Sequence, residues 1–221
     1  MPRTARAAVG GIVYHVLNRG NGRMGIFRKP GDYLGFLQLL IDGKQKADVE
    51  LFAFCLMPNH WHLVLRPKAD RDLARYLSWV SNTHVKRYRA HYRRTSGHLY
   101  QGRYKSFAVE EESHLITLLR YVEANPLRAK LVSRAQDWRW SSLGCEDKIL
   151  SRLVSDWPLD RPRNWAALVN EPIRPAEQSR LKVSFERGRP LGTDQWAIEM
   201  AERMGLEHTL NPRGRPKSQE E

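Results

Sequence analysis

The stretch Met57-Pro58-Asn59-His60-Trp61-His62-Leu63-Val64-Leu65 decides how this chain folds. Proline fixes φ and asparagine tolerates turn geometry, so Met57–Asn59 reads as a turn. Beyond the turn, His60–Leu65 reads as a strand, and on a strand residues two apart share a face. His60, His62 and Val64 therefore point one way, and Trp61, Leu63 and Leu65 point the other. The second set is wholly apolar and is expected to meet the core. The first sets two imidazoles side by side, a geometry suited to one metal ion. Two histidines on a wet sheet face have the same spacing. The pair therefore needs a third ligand and a reactive group from elsewhere in the chain.

Working outward, the apolar run Val49–Leu56 predicts the strand that pairs with the histidine strand through the Pro58-Asn59 turn. Gly11–Asn18 predicts a first strand and Arg103–Glu110 a fourth. Between them, Gly31–Lys46 carries Tyr33, Phe36, Leu37, Leu39, Leu40 and Ile41 largely at helical spacing, with Asp32 favouring a helix start. Asp70–Arg94 predicts a long helix with the apolar stripe Leu73, Tyr76, Leu77, Val80 and Val85. Glu111–Ala124 predicts another, buried through Leu115, Leu118, Leu119 and Val122 and ended or kinked at Pro126. The order is β-α-β-β-α-β-α. After Glu146 the pattern weakens, and Leu150–Asn170 predicts irregular structure with short helices. Thr193–Met204 predicts a helix capped by Thr193. Two units are expected, 1–145 and a C-terminal extension, 146–221.

The chain has 221 residues, 41% of them hydrophobic, and a net charge of +13. That excess points to a polyanionic partner, nucleic acid before anionic membrane. No apolar run approaches the ~18 residues of a membrane span, and the basic N-terminus lacks the apolar segment of a signal peptide. Two cysteines, Cys55 and Cys145, make no disulfide framework, which fits a reducing cytoplasm. Candidate phosphate contacts are Arg19 and Arg23 in a glycine-rich loop, and Lys86, Arg87, Arg89, Arg93 and Arg94 on the long helix. There Tyr88, His91 and Tyr92 are interleaved, as suits a groove in which charge follows the backbone and rings stack on bases. A solvated helix face would look the same.

Tyr121 and Asn125 are four apart on the helix after Glu111, so they lie on one side of it. Asn125 can offer an amide oxygen to a hard cation. Tyr121 offers a phenol that a metal and a phosphate could activate as a nucleophile. A packing tyrosine and a helix-ending asparagine are the ordinary alternatives.

Together these residues resemble a known family. Met57-Pro58-Asn59-His60-Trp61-His62 is similar to the His-hydrophobic-His signature of HUH single-strand DNA nucleases. Tyr121-Val-Glu-Ala-Asn125-Pro126-Leu-Arg128-Ala resembles the tyrosine helix of single-tyrosine HUH transposases, in the branch of REP-associated tyrosine transposases. Gly97–Ser106, Trp140-Ser-Ser and Arg187-Gly-Arg189-Pro-Leu-Gly resemble that branch too. The resemblance implies an α+β fold, with a ferredoxin-like antiparallel sheet flanked by helices, in agreement with the order above. It implies that His60, His62 and Asn125 bind Mg²⁺ or Mn²⁺, and that Tyr121 attacks a phosphate to leave a 5′-phosphotyrosine and a free 3′-OH. It implies a single strand beside an imperfect hairpin as substrate. Arg103 and Lys105 are further candidate DNA contacts, and Arg187 and Arg189 resemble minor-groove arms, as does the repeat at Arg213. Tyr100 and Tyr104 are competing phenols, less well spaced to Asn125. Members work as dimers or as monomers. A non-catalytic hairpin binder that kept the fold would show the same charge and aromatic pattern.

Overall fold

A computed structural model describes residues 8–93 and 96–211. Arg94 and the second Arg-Gly-Arg-Pro, at 213–216, lie outside those residues. Four strands, β1 (Val13–Arg19), β2 (Val49–Met57), β3 (His60–Pro67) and β4 (Lys105–Val109), form one sheet in the order β2-β3-β1-β4. Every pairing is antiparallel. Helices α1 (Pro30–Gly43) and α2 (Asp72–His91) connect the strands, and α3 (Ser113–Glu123) and α4 (Asn125–Arg128) follow β4. This is the α+β, ferredoxin-like arrangement expected. The register places His60 opposite Arg19 and His62 opposite Leu17.

The alternation along β3 sorts its side chains into two cores. Trp61, Leu63 and Leu65 pack with α1 and α2. Val64 packs on the other face with Leu115, Leu118, Leu119 and Val122 of α3. Burial of each large apolar side chain contributes about 1.5–3 kcal/mol, so a one-residue slip of β3 would forfeit several such terms at once. Helices α1 and α2 approach closely at Gly43, where a Cβ would lie 2.8 Å from the Tyr76 ring. The stripe of α2 differs from expectation at one position. Val85 is only partly buried, and His84 and Tyr88 face the core instead. From Val80 the next positions on the same side are four and eight residues on, and those are His84 and Tyr88.

The extension holds the short helices expected, α5 (Asp147–Leu153) and α6 (Trp165–Asn170), the expected α8 (Asp194–Met204), and one more, α7 (Pro175–Arg187). Helix α7 is the element that the sequence reading does not assign. Its signals are Pro175 in the first turn, Glu177 reaching back to the Arg174 N–H at 3.2 Å, and Gly188 in the left-handed region at φ 76° just after its end. These are ordinary start and stop signals. The segment 140–142 and the extension together cover both sheet edges. On β2, Leu56 N–H donates to Trp140 O, Ser142 N–H to Phe54 O and Ser155 N–H to Leu51 O. On β4, Glu110 N–H donates to Leu191 O and Leu191 N–H to Ala108 O. The backbone groups that would otherwise invite another strand are thus paired within the chain.

Candidate active site

His60 and His62 project from β3 onto the sheet face that carries α3. That face is not wet. His62 is buried, 3% exposed, because Phe185 of α7 lies over it with ring centroids 6.2 Å apart. Burial pushes the His60 imidazole down to about 4, assisted by the Arg19 charge, and pushes His62 well below its usual value. Both rings are therefore neutral near pH 7, the form that binds a metal. Each has an orienting partner. His60 Nδ1 lies 2.6 Å from Asn59 Oδ1, which can only accept, so this nitrogen carries the proton and Nε2 keeps its lone pair. His62 Nδ1 lies 2.9 Å from Nε2 of His15, a buried residue of β1 that the sequence pattern does not single out. His62 Nε2 is buried with no hydrogen-bond partner among the described residues. A buried imidazole nitrogen with its lone pair unused, beside a second histidine, fits a cation ligand. Among the described residues, no three His, Cys, Asp or Glu side chains cluster to hold an ion.

Helix α3 brings the tyrosine. The Tyr121 ring lies 6.3 Å from that of His62 and 4.8 Å from that of Phe185. Asn125 begins α4, and its Nδ2 donates to the carbonyls of Tyr121 and Val122 at 3.0 and 3.2 Å. That engagement leaves Oδ1 as the atom available to a ligand. Arg128 stacks its guanidinium 4.2 Å from the Tyr121 centroid. All four side chains of the expected site, His60, His62, Tyr121 and Asn125, line one cleft of about 610 Å³. The competing phenols do not share it. Tyr100 is buried in the opposite core, where its hydroxyl accepts from Trp61 Nε1 and faces His84 Nδ1, and Tyr104 packs against that same core.

The basic residues divide between two faces. Arg19, Arg103 and Lys105 line the cleft, joined by Arg128 and Lys182, two cations outside the expected contact set. Arg23 lies at the turn beside Asn59, whose Nδ2 donates to its carbonyl. Lys86, Arg87 and Arg89 are exposed on α2, across the sheet from the histidines. With them goes Arg93, just beyond that helix. Tyr88 is buried and the Tyr92 ring is covered by the Arg28 guanidinium at 4.6 Å, so neither ring is free as expected for stacking. Nor is the first Arg-Gly-Arg-Pro a loose arm. Arg187 donates to His208 O, Arg189 pairs with Asp194 at 3.2 Å, and Leu191 bridges to β4. The turn at Gly188 and the β4 edge draw the segment onto the fold.

The sheet and its paired histidines, faced by a helix-borne tyrosine, define the HUH transposase fold. The chain belongs to the IS200-like transposase family, whose model matches residues 8–125, and so to transposases that act on DNA. Among solved structures it is similar to a REP-associated tyrosine transposase bound to a REP hairpin. That match has 17% identity and a TM-score of 0.55, and covers 73% of this chain and 95% of the other. A candidate transposase from Deinococcus radiodurans R1 is similar at 20% identity and TM-score 0.40, over 55% of this chain and 95% of that one. No curated protein matches. Among the described residues no helix is long and apolar enough to cross a membrane.

Proposed function

We propose that this transposase cleaves and rejoins single-stranded DNA beside a hairpin, through a 5′-phosphotyrosine on Tyr121. One observation carries the reading: the Tyr121 ring lies 6.3 Å from His62 in a cleft that also holds His60, Asn125 and Arg128. His60 and His62 present neutral imidazoles, and Asn125 an amide oxygen, to a divalent cation. Mg²⁺ or Mn²⁺ bound there would supply Lewis-acid polarisation of the scissile phosphate. Arg19, Arg103 and Lys105 hold the strand by its phosphates. Tyr121 attacks phosphorus, its phenol loses a proton, the bond to the 3′ oxygen breaks, and that oxygen leaves as a 3′-OH. The ester conserves the bond energy, so attack by another 3′-OH rejoins strands. Phosphoryl transfer asks mainly for positioning and charge neutralisation, which this set of residues offers. The hairpin-bound relative of like fold supports a hairpin substrate. The cytoplasm is the compartment in which these residues would meet DNA.

The test is intact-protein mass after incubation with hairpin-flanked single-stranded oligonucleotides and Mg²⁺ or Mn²⁺. A covalent adduct is expected with the wild-type protein and not with Tyr121→Phe, which should still bind DNA. An adduct in that variant overturns the assignment of Tyr121. Binding without any adduct, with any divalent metal, favours a hairpin binder that has kept the fold.

A further inference from the structure

We infer that Arg19 and Arg128 form a two-sided phosphate clamp that makes cation binding at His60 and His62 contingent on the DNA strand. The inference rests on the proposed metal site and adds the order in which that site fills.

The donor set carries no negative charge. It consists of the neutral imidazoles of His60 and His62 and the amide of Asn125. Glu186, the one carboxylate in the lining, is part of no ion-holding cluster of three among the described residues. Sites for hard divalent cations ordinarily include carboxylates or substrate phosphates. Here the protein supplies positive charge instead. Arg19 stands opposite His60 across the β1–β3 ladder, and its Nε is buried with no hydrogen-bond partner among the described residues. Arg128 enters from α4, stacked on Tyr121, and makes no ion pair among the described residues. Both guanidiniums line the cleft that His60 and His62 face, so like charge stands on two sides of the place a cation would take. A divalent cation entering alone meets that repulsion.

A phosphodiester reverses this balance. Its anionic oxygens give the orphaned Arg19 Nε an acceptor, give Arg128 a counter-ion beside the phenol, and give the cation the anionic ligand that the protein withholds. Arg19 and Arg128 then hold the reacting phosphate from the histidine side and from the tyrosine side. By linkage, the strand must tighten the cation by the same factor as the cation tightens the strand. The cleft would stay nearly empty of metal until DNA arrives.

The experiment titrates Mn²⁺ into full-length Tyr121→Phe protein and follows free aqua-Mn²⁺ by electron paramagnetic resonance. It is run with and without a hairpin-flanked single-stranded oligonucleotide. Metal bound by the DNA itself is subtracted with the His60→Ala/His62→Ala variant. The strand is expected to tighten Mn²⁺ by roughly tenfold or more, within the usual range for coupled sites. Arg19→Gln/Arg128→Gln should bind Mn²⁺ several-fold more tightly than the parent without DNA, and lose most of the strand's effect. Arg19→Lys/Arg128→Lys should keep much of it. Circular dichroism checks that each variant is folded, and the single variants replace any double variant that is not. Equal Mn²⁺ affinity with and without DNA, or an unchanged strand effect in the glutamine variant, overturns the clamp while leaving the metal site standing. No Mn²⁺ bound in either state overturns the metal site, and the clamp's role in filling it goes too.

Discussion

His15 Nε2 lies 2.9 Å from His62 Nδ1, a bridge between adjacent strands at the floor of the cleft. One proton must sit between these nitrogens, because both rings are buried and held neutral. With the proton on His62 Nδ1, the lone pair of its Nε2 is presented to the cleft, which is the tautomer a ligand requires.

His15→Leu removes that partner. Loss of a ligand's supporting hydrogen bond typically costs 10–100-fold in metal affinity. The expected outcome is weaker Mn²⁺ binding by about that factor in the strand-bound protein, partly restored in His15→Gln, which keeps a hydrogen-bonding group. Calorimetric titration of the two variants decides the matter. Parent-like affinity in His15→Leu would reduce His15 to a packing residue.

A second link ties the tyrosine helix to the extension. Glu123 is 1% exposed on α3, between Tyr121 and Asn125, and accepts from Trp165 Nε1 at 2.6 Å and from the Ser142 hydroxyl. Burial pushes its carboxyl up, and these two hydrogen bonds pull it back. Trp165→Phe strips one donor from a buried carboxyl, a loss of about 1–3 kcal/mol. Urea unfolding should show that loss, and Glu123→Ala should leave the adduct rate on Tyr121 reduced even where the protein is folded. A stable Trp165→Phe protein would mean that the tyrosine helix is positioned without this clamp.

Phe185 carries a third expectation. Its ring meets those of His15 at 4.8 Å, Phe107 at 5.3 Å and Tyr121 at 4.8 Å. Phe185→Leu keeps apolar cover over His62, whereas Phe185→Ala opens it to water and loses roughly 2 kcal/mol, below the range for a fully buried ring. Adduct formation should fall in the alanine variant and largely survive in the leucine variant. Equal rates in both would show that α7 merely borders the cleft.

Much of this is legible in the sequence because it rests on local rules. The alternation about His60 and His62 defines the two faces of β3, and the four-residue spacing of Tyr121 and Asn125 brings them to one side where α3 runs into α4. What escapes depends on contacts distant in sequence. His15 sits in a strand that reads as apolar, and only the β1–β3 register brings it to His62, 47 residues away. Phe185 lies on a helix whose exposed face is so polar that its two core residues, Leu181 and Phe185, look incidental. Charge is legible in sum and less so in place. The basic run on α2 faces away from the cleft, because Tyr88 and His84 turn that helix's apolar side to the sheet.

Histidine burial leads to the last expectation, which concerns pH. Burial pushes His15 down to about 3 and His60 and His84 down to about 4, with the Arg19 charge assisting at His60 and Asp32 partly opposing at His84. In the unfolded chain each titrates near 6.5. Between those limits the unfolded state takes up protons that the folded state refuses, so stability falls as pH falls. The contribution is complete above about pH 6.5 and erodes toward pH 4, by up to about 1.4 kcal/mol per pH unit for each histidine. Glu123, whose carboxyl is raised, works in the opposite sense as a single group, while Asp32 and Glu50, whose carboxyls are lowered, act at lower pH. Urea midpoints for metal-free protein should therefore drop steadily from pH 7 to pH 5, and the slope should be shallower in His84→Phe. A midpoint that holds or rises toward pH 5 would mean that the three imidazoles are not held neutral by burial.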